Sequence, residues 1–168
     1  MTEHWTAFLA ALAATDQPRA TFAALDKISK ELVGTTLFTA MTHDTANQRS
    51  YRNYSDNETA YPTGAWKAMK PGSPWGQHVL EEKKIFVANT IEEIAVVFPD
   101  ADLIASLGCG SAMNIPGVYA GRVIGTINLL HETGYYTPER VAKARELIPF
   151  VTTAFLTITP PLGVYGSA

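Results

Sequence analysis

Apolar and polar positions follow two rhythms along this chain, and the changes of rhythm mark its elements. Residues 3–14 (EHWTAFLAALAA) are rich in Ala and Leu and predict a short helix, broken by Thr15–Asp16–Gln17–Pro18. Pro18 suits the first turn of a second helix, where a missing N–H costs nothing. There Phe22, Leu25, Ile28 and Leu32 recur at helical spacing, which predicts one buried face, and Gly34 ends the helix as its C′ residue. Residues 35–42 (TTLFTAMT) predict a strand, and residues 47–54 (NQRSYRNY) its antiparallel partner, with His43–Asp44 read as the turn.

From Ser55 to Ser73 the chain is polar and carries Pro62, Gly64, Pro71 and Gly72, so it reads as a long ordered loop. Ser73 as N-cap and Pro74 at the first helical position open a short helix over 75–83. A strand over 84–88 follows. Asn89 or Thr90 then caps a helix over 91–97, whose first turn holds Glu92 and Glu93, where the helix dipole favours acids. Phe98–Pro99–Asp100 is a turn, and 101–107 predicts a further helical turn. Residues 111–119 and 122–131 are strands joined at Ala120–Gly121 in a tight hairpin. Thr137–Pro138–Glu139 opens the last helix, with Val141, Ile148, Val151 and Phe155 among its buried positions and Pro149 disturbing it. This order predicts an α+β domain: a central antiparallel sheet, long N- and C-terminal helices on one face, and a lid of loop and short helices over a pocket on the other.

Composition narrows the function. A chain of 168 residues, 46% hydrophobic, is sized for one domain with one substantial core. The division expected is an N-terminal helix over 1–16, a main domain over 17–158 and a Pro- and Gly-rich tail over 159–168. Charged residues are only 17%, which suggests that a homodimer partner covers part of the surface. The net charge of −3, with no basic run beyond Lys83–Lys84, argues against nucleic acid as a partner. One cysteine, Cys109, excludes an intramolecular disulfide and a four-thiolate zinc site. His4, Trp5, Thr15 and Asp16 interrupt any secretory signal, and no stretch approaches 18 apolar residues, so no membrane is expected and the cytoplasm is the expected compartment.

Phe98–Pro99–Asp100, then Ser111-Ala-Met-Asn-Ile-Pro116, then Gly121-Arg-Val-Ile-Gly-Thr-Ile-Asn-Leu-Leu-His131 resemble the second half of a GAF domain. There a strand ending in Pro leads through a Gly turn into a strand patterned G-x-φ-φ-G-x-φ-x-φ. The resemblance runs from about residue 17 to 155. Arg49-x-Tyr51, Tyr61–Pro62, Gly64, Lys67 and Trp75 look like a subgroup of small single-domain bacterial GAF proteins. It implies a GAF/PAS-like fold and a small-molecule ligand, since GAF domains bind cyclic nucleotides, tetrapyrroles, haem, amino acids or oxo-acids. A free-standing module of this kind is expected to bind in trans, to buffer a ligand, or to act as an enzyme. Methionine-(R)-sulfoxide reductase activity is disfavoured: the alignment puts Ser106 where that group has its catalytic cysteine, and Ala112, Asn128 and Leu130 at its acidic pocket positions. Cys109 lacks the following His of bilin-attaching GAF domains, and the N-K-x-F-x-D cyclic-nucleotide signature is absent.

The candidate site divides into two sets. Strand alternation puts Asn114 on one face of its strand, and Thr126 and Asn128 on one face of the next, so that the three converge on a ligand. Arg49, Tyr51, Arg52 and Lys67 lie on or beside the long loop, where a guanidinium suits a carboxylate or phosphate, while Tyr61 and Trp75 close over a flat or apolar ligand. Cys109 sits between two glycines in Leu107-Gly-Cys-Gly-Ser111, where backbone N–H groups and Ser111 could meet a ligand and the thiol could be a nucleophile. His78 and His131 are candidate general bases without metal-ligand spacing. The reading chosen is a small polar or aromatic metabolite held between sheet and lid, with no cofactor or metal specified. The alternative is an enzyme using Cys109 or a histidine.

Overall fold

A computed structural model describes residues 2–70 and 72–158; the expected tail over 159–168 lies outside them. Two helices lead, α1 (Glu3–Leu12) and α2 (Arg19–Leu32), followed by β1 (Leu37–Asp44), β2 (Arg49–Ser55) and β3 (Trp66–Ala68). A single helical turn, α3 (Pro74–Gly76), runs into a π-helical turn over Gln77–Glu81. Then come β4 (Phe86–Ala88), α4 (Ile91–Val97), α5 (Ala101–Ser106), β5 (Ser111–Tyr119) and β6 (Arg122–His131). The described chain ends with α6 (Pro138–Ala144), a 3₁₀ turn over Arg145–Leu147 and α7 (Ile148–Leu156).

The strands form one antiparallel sheet in the order β3-β2-β1-β6-β5-β4. Its two faces are chemically distinct because strand side chains alternate. Phe38, Ala40, Met113, Ile115, Ile127 and Leu129 point to the helical face, where they join Phe8, Phe22, Leu25, Val151 and Phe155 in the main core. Trp5 of α1 stacks on Phe150 of α7 at 4.1 Å between centroids, tying the two terminal helices together. Gly125 lets α7 lie directly on the sheet, since a Cβ there would fall 2.3 Å from the Phe155 ring. The other face carries a second apolar cluster under α4, α5 and the loop before β3, built on Leu37, Tyr61, Ile94, Ile104, Ala112 and Leu130.

Local sequence explains most element ends. The Ser73 hydroxyl accepts from the Gly76 N–H at 3.1 Å, Thr90 from the Glu93 N–H at 3.2 Å, and Thr137 from the Arg140 N–H at 3.4 Å. Ala120 (φ 48°) and Gly121 (φ 77°) both take left-handed conformations, as a two-residue hairpin with a type I′ turn requires.

Four sequence expectations change. The β1–β2 turn lies at 45–48, not at His43–Asp44, and Asp44 closes the hairpin by pairing with Arg49 at 2.9 Å. The segment read as a loop contains β3, whose backbone pairs with β2. The helix expected over 75–83 is a turn of α-helix followed by a π turn. Pro149 does more than disturb the last helix: it divides it, sitting at the start of α7 after the 3₁₀ turn. Among the described residues no helix is long and apolar enough to cross a membrane.

Candidate functional site

A cavity of about 390 Å³ lies between the lid-side face of the sheet and the lid. Its floor comes from alternate residues of three adjacent strands: Thr39, Met41 and His43 of β1, Asn114 of β5, and Thr126 and Asn128 of β6. The register places these side by side, with Thr39 opposite Asn128, Met41 opposite Thr126, and Asn114 opposite Asn128. Apolar walls come from Leu37, Leu130 and Ile104 at one side and from Trp75 and Phe98 in the lid. Ser50, Arg52, Tyr61, Lys67 and Asp100 complete the polar rim.

The floor is one continuous hydrogen-bond network whose donors converge on Asn128 Oδ1. Trp75 Nε1–H can only donate, and it donates to Asn114 Oδ1 at 2.8 Å. This orients the Asn114 amide, whose Nδ2 donates to Asn128 Oδ1 at 2.8 Å. Asn128 Oδ1 also accepts from the Thr126 hydroxyl at 3.1 Å, and Asn128 Nδ2 donates to Thr39 Oγ1 at 3.1 Å. Having spent its proton, Thr126 Oγ1 must accept from His43 Nε2–H at 2.9 Å. His43 is therefore the neutral Nε2–H tautomer, and its Nδ1 accepts from the Ser50 hydroxyl at 2.8 Å. Burial reinforces this assignment by pushing the His43 pKa down to about 4. Every buried amide of the floor thus has a partner. The chain leaves one N–H of each asparagine and the Thr39 hydroxyl proton without a partner among the described residues.

The rim is charged and less complete. Arg52 is 6% exposed and donates through Nη1 to the Pro62 carbonyl at 3.1 Å. Its guanidinium lies over the Tyr61 ring at 4.9 Å, while its buried Nε has no partner. Tyr61 O–H donates to Asp100 at 2.8 Å; burial, then this bond, raises the phenol's pKa. Burial lowers the pKa of Arg52, and burial followed by the charge of Arg52 lowers that of Lys67.

The structure brings seven of the sequence-derived candidates together around this cavity: Asn114, Thr126, Asn128, Arg52, Tyr61, Lys67 and Trp75. The other six lie elsewhere. Arg49 pairs with Asp44 and covers the Trp66 ring at 4.2 Å, and Tyr51 packs on the same ring at 5.3 Å, both on the opposite face of β2 from Ser50 and Arg52. Ser111, fully buried, donates to the Glu132 carbonyl at 2.6 Å and belongs to the face of β5 opposite Asn114. Cys109 is 5% exposed within the second apolar cluster; burial, then the charge of Asp56, raises its thiol pKa. His78 meets the Ile85 carbonyl at 3.0 Å in a shallow outer depression lined also by Pro74, Phe86, Val87 and Val97. His131 stacks on Tyr135 beyond the end of the floor and accepts from the Glu132 N–H at 2.9 Å. Its pKa is lowered, chiefly by burial. Among the described residues no group of three or more His, Cys, Asp or Glu gathers as a metal site.

Among the polar residues of the cavity, His43, Ser50, Thr39, Lys70 and Asp100 were given no site role by the sequence. Continuing the β1 alternation from Thr39 through Met41 would have reached His43. Nothing in the sequence ties Asp100 to Tyr61.

The fold is that of GAF domains. The chain superposes on the GAF domain of a two-component sensor histidine kinase from Bacillus halodurans with a TM-score of 0.64 and 12% identity, covering 87% of this chain and 95% of that one. For the GAF domain of an Acinetobacter phosphoenolpyruvate-protein phosphotransferase the TM-score is 0.66 at 10% identity, with 99% of each chain covered. The chromophore-binding domain of a bacteriophytochrome from R. palustris gives 0.57 at 15% identity, covering 92% of this chain and 59% of that one. No protein-family model matches the sequence, and no curated protein matches it.

Proposed function

We propose that this chain binds a small polar or aromatic metabolite in the cavity between sheet and lid. The observation that carries this reading is the continuous hydrogen-bond network linking Trp75, Asn114, Asn128, Thr126, His43 and Ser50, which holds six polar side chains in fixed orientations around the cavity. Ordering buried polar groups at a cavity wall costs conformational entropy, and a ligand that reads them offsets that cost. A role in binding without turnover is supported by the scatter of Cys109, His78 and His131 over three separate environments. His43, the histidine that does line the cavity, has both ring nitrogens engaged.

The low charge fraction and the exposed Leu9 and Leu156 on the terminal helices support pairing of two copies through the helical face, away from the cavity. Native against denaturing mass spectrometry of the purified protein tests both readings. The expected native spectrum shows a dimer carrying an added small mass that disappears on denaturation. A bare protein that also shows no saturable thermal shift across a metabolite set refutes the binding role, and a bare monomer at all concentrations refutes the pairing.

A further inference from the structure

The cavity rim holds more positive than negative charge, in a chain whose net charge is −3. Arg52, Lys67 and Lys70 line it against the single carboxylate of Asp100. No carboxylate among the described residues forms an ion pair with Arg52 or Lys67, although seven ion pairs form elsewhere. Buried charges are ordinarily paired, and an arginine is an expensive group to bury otherwise. Arg52 makes one side-chain hydrogen bond, to a neutral carbonyl, and its Nε is buried without any partner. Lys67 enters the same rim from the neighbouring strand: it stands opposite Ser50 in the β2–β3 register, and Ser50 shares the cavity face with Arg52. Two cations from adjacent strands therefore converge on one wall, and the rim's carboxylate, Asp100, accepts from Tyr61 and forms an ion pair with neither.

We propose that the ligand is a small monocarboxylate with an apolar or aromatic body, its carboxylate seated between Arg52 and Lys67 and its body against Trp75 and Phe98. This rests on the binding role proposed above. The planar guanidinium matches a carboxylate through two parallel N–H donors, and Lys67 adds a point charge. Asp100 on the same rim disfavours a dianion, which sets a carboxylate ahead of a phosphate monoester. The free amide protons of Asn114 and Asn128 suit a ligand carrying further acceptor atoms.

The test uses matched probes on the purified full chain: benzoate, phenylacetate and indole-3-carboxylate, the primary amide of each, and inorganic phosphate. Binding is read by thermal shift and calorimetry in wild type, Arg52→Met and Lys67→Met. At least one acid is expected to bind saturably where its amide does not. Arg52→Met is expected to weaken that acid at least about tenfold and Lys67→Met several-fold. Arg52→Met removes a buried unpaired charge and Lys67 is exposed on an edge strand, so both variants are expected to fold, which their unliganded melting confirms. Amides that bind as well as their acids, or acid binding unchanged in Arg52→Met, overturn the carboxylate assignment while leaving the binding role standing. Arg52-dependent binding of phosphate alone replaces carboxylate by phosphate. No binding by any probe, in a protein that also carries no retained molecule, overturns both readings.

Discussion

His43 makes the stability of this domain depend on pH in a way that can be calculated from its surroundings. Its imidazole is buried, sits between Ser50 and Thr126, and shares the cavity with the cations Arg52 and Lys67, with Asp100 the carboxylate on the same rim. Burial lowers its pKa to about 4, against 6.5 for an unperturbed histidine. Between those values the unfolded chain binds a proton that the folded chain does not, so acidification favours unfolding. The contribution is constant above pH 7. It falls by about 2 kcal/mol on going to pH 5, and by about 3 kcal/mol at pH 4, when the two pKa values are put into the linkage relation. Urea unfolding of wild type and His43→Gln at pH 7.5, 6 and 5 measures it. Glutamine keeps a polar contact but cannot titrate, so the wild-type curve should descend more steeply than the variant's by about 2 kcal/mol across that range. Asp26, whose pKa burial raises, and His131 titrate in both proteins and cancel in the difference. Parallel curves would refute a buried neutral His43, and with it the acceptor role of its Nδ1 toward Ser50.

Two further outcomes follow from packing. Gly125→Ala places a methyl group against the Phe155 ring and should destabilise the domain by about 1–3 kcal/mol in chemical denaturation, with Phe155→Leu in the same chain recovering part of the loss; an additive pair would show that Gly125 does not set the spacing of α7. Cys109, 5% exposed and with its thiol pKa raised, should react with an alkylating reagent at neutral pH far more slowly in the native protein than in denaturant. Equal rates would return this thiol to the list of reactive groups.

The sequence was most informative where one periodicity runs long enough to be read. The β5–β6 hairpin has nineteen residues of strand, with a Gly at its turn, and its alternation placed Asn114, Thr126 and Asn128 on one wall. It failed where an element exists only through a neighbour. Trp66–Ala68 is three residues between prolines and glycines, and it is a strand because β2 supplies its hydrogen bonds. His43 was read as a turn because Asp follows it, yet the chain turns only after Asp44 has paired forward with Arg49. Ser111 shows the strictness of a two-residue period: three positions from Asn114, it belongs to the opposite face. Arg49 and Arg52 look equivalent in sequence, and the same parity sends one to an outer tryptophan and the other to the cavity.

The direction of the floor's hydrogen bonds also acts as a polarity filter. Because the bonds run inward from Trp75 and from Ser50 and meet at Asn128 Oδ1, turning one amide over would set two oxygens or two N–H groups face to face, and Trp75, which cannot reverse, holds the row in this sense. The floor therefore offers three spare protons, one on each asparagine amide and one on the Thr39 hydroxyl. Two molecules of identical size and shape, one presenting oxygens and the other presenting N–H groups, would be told apart by a wall that touches neither charge nor bulk.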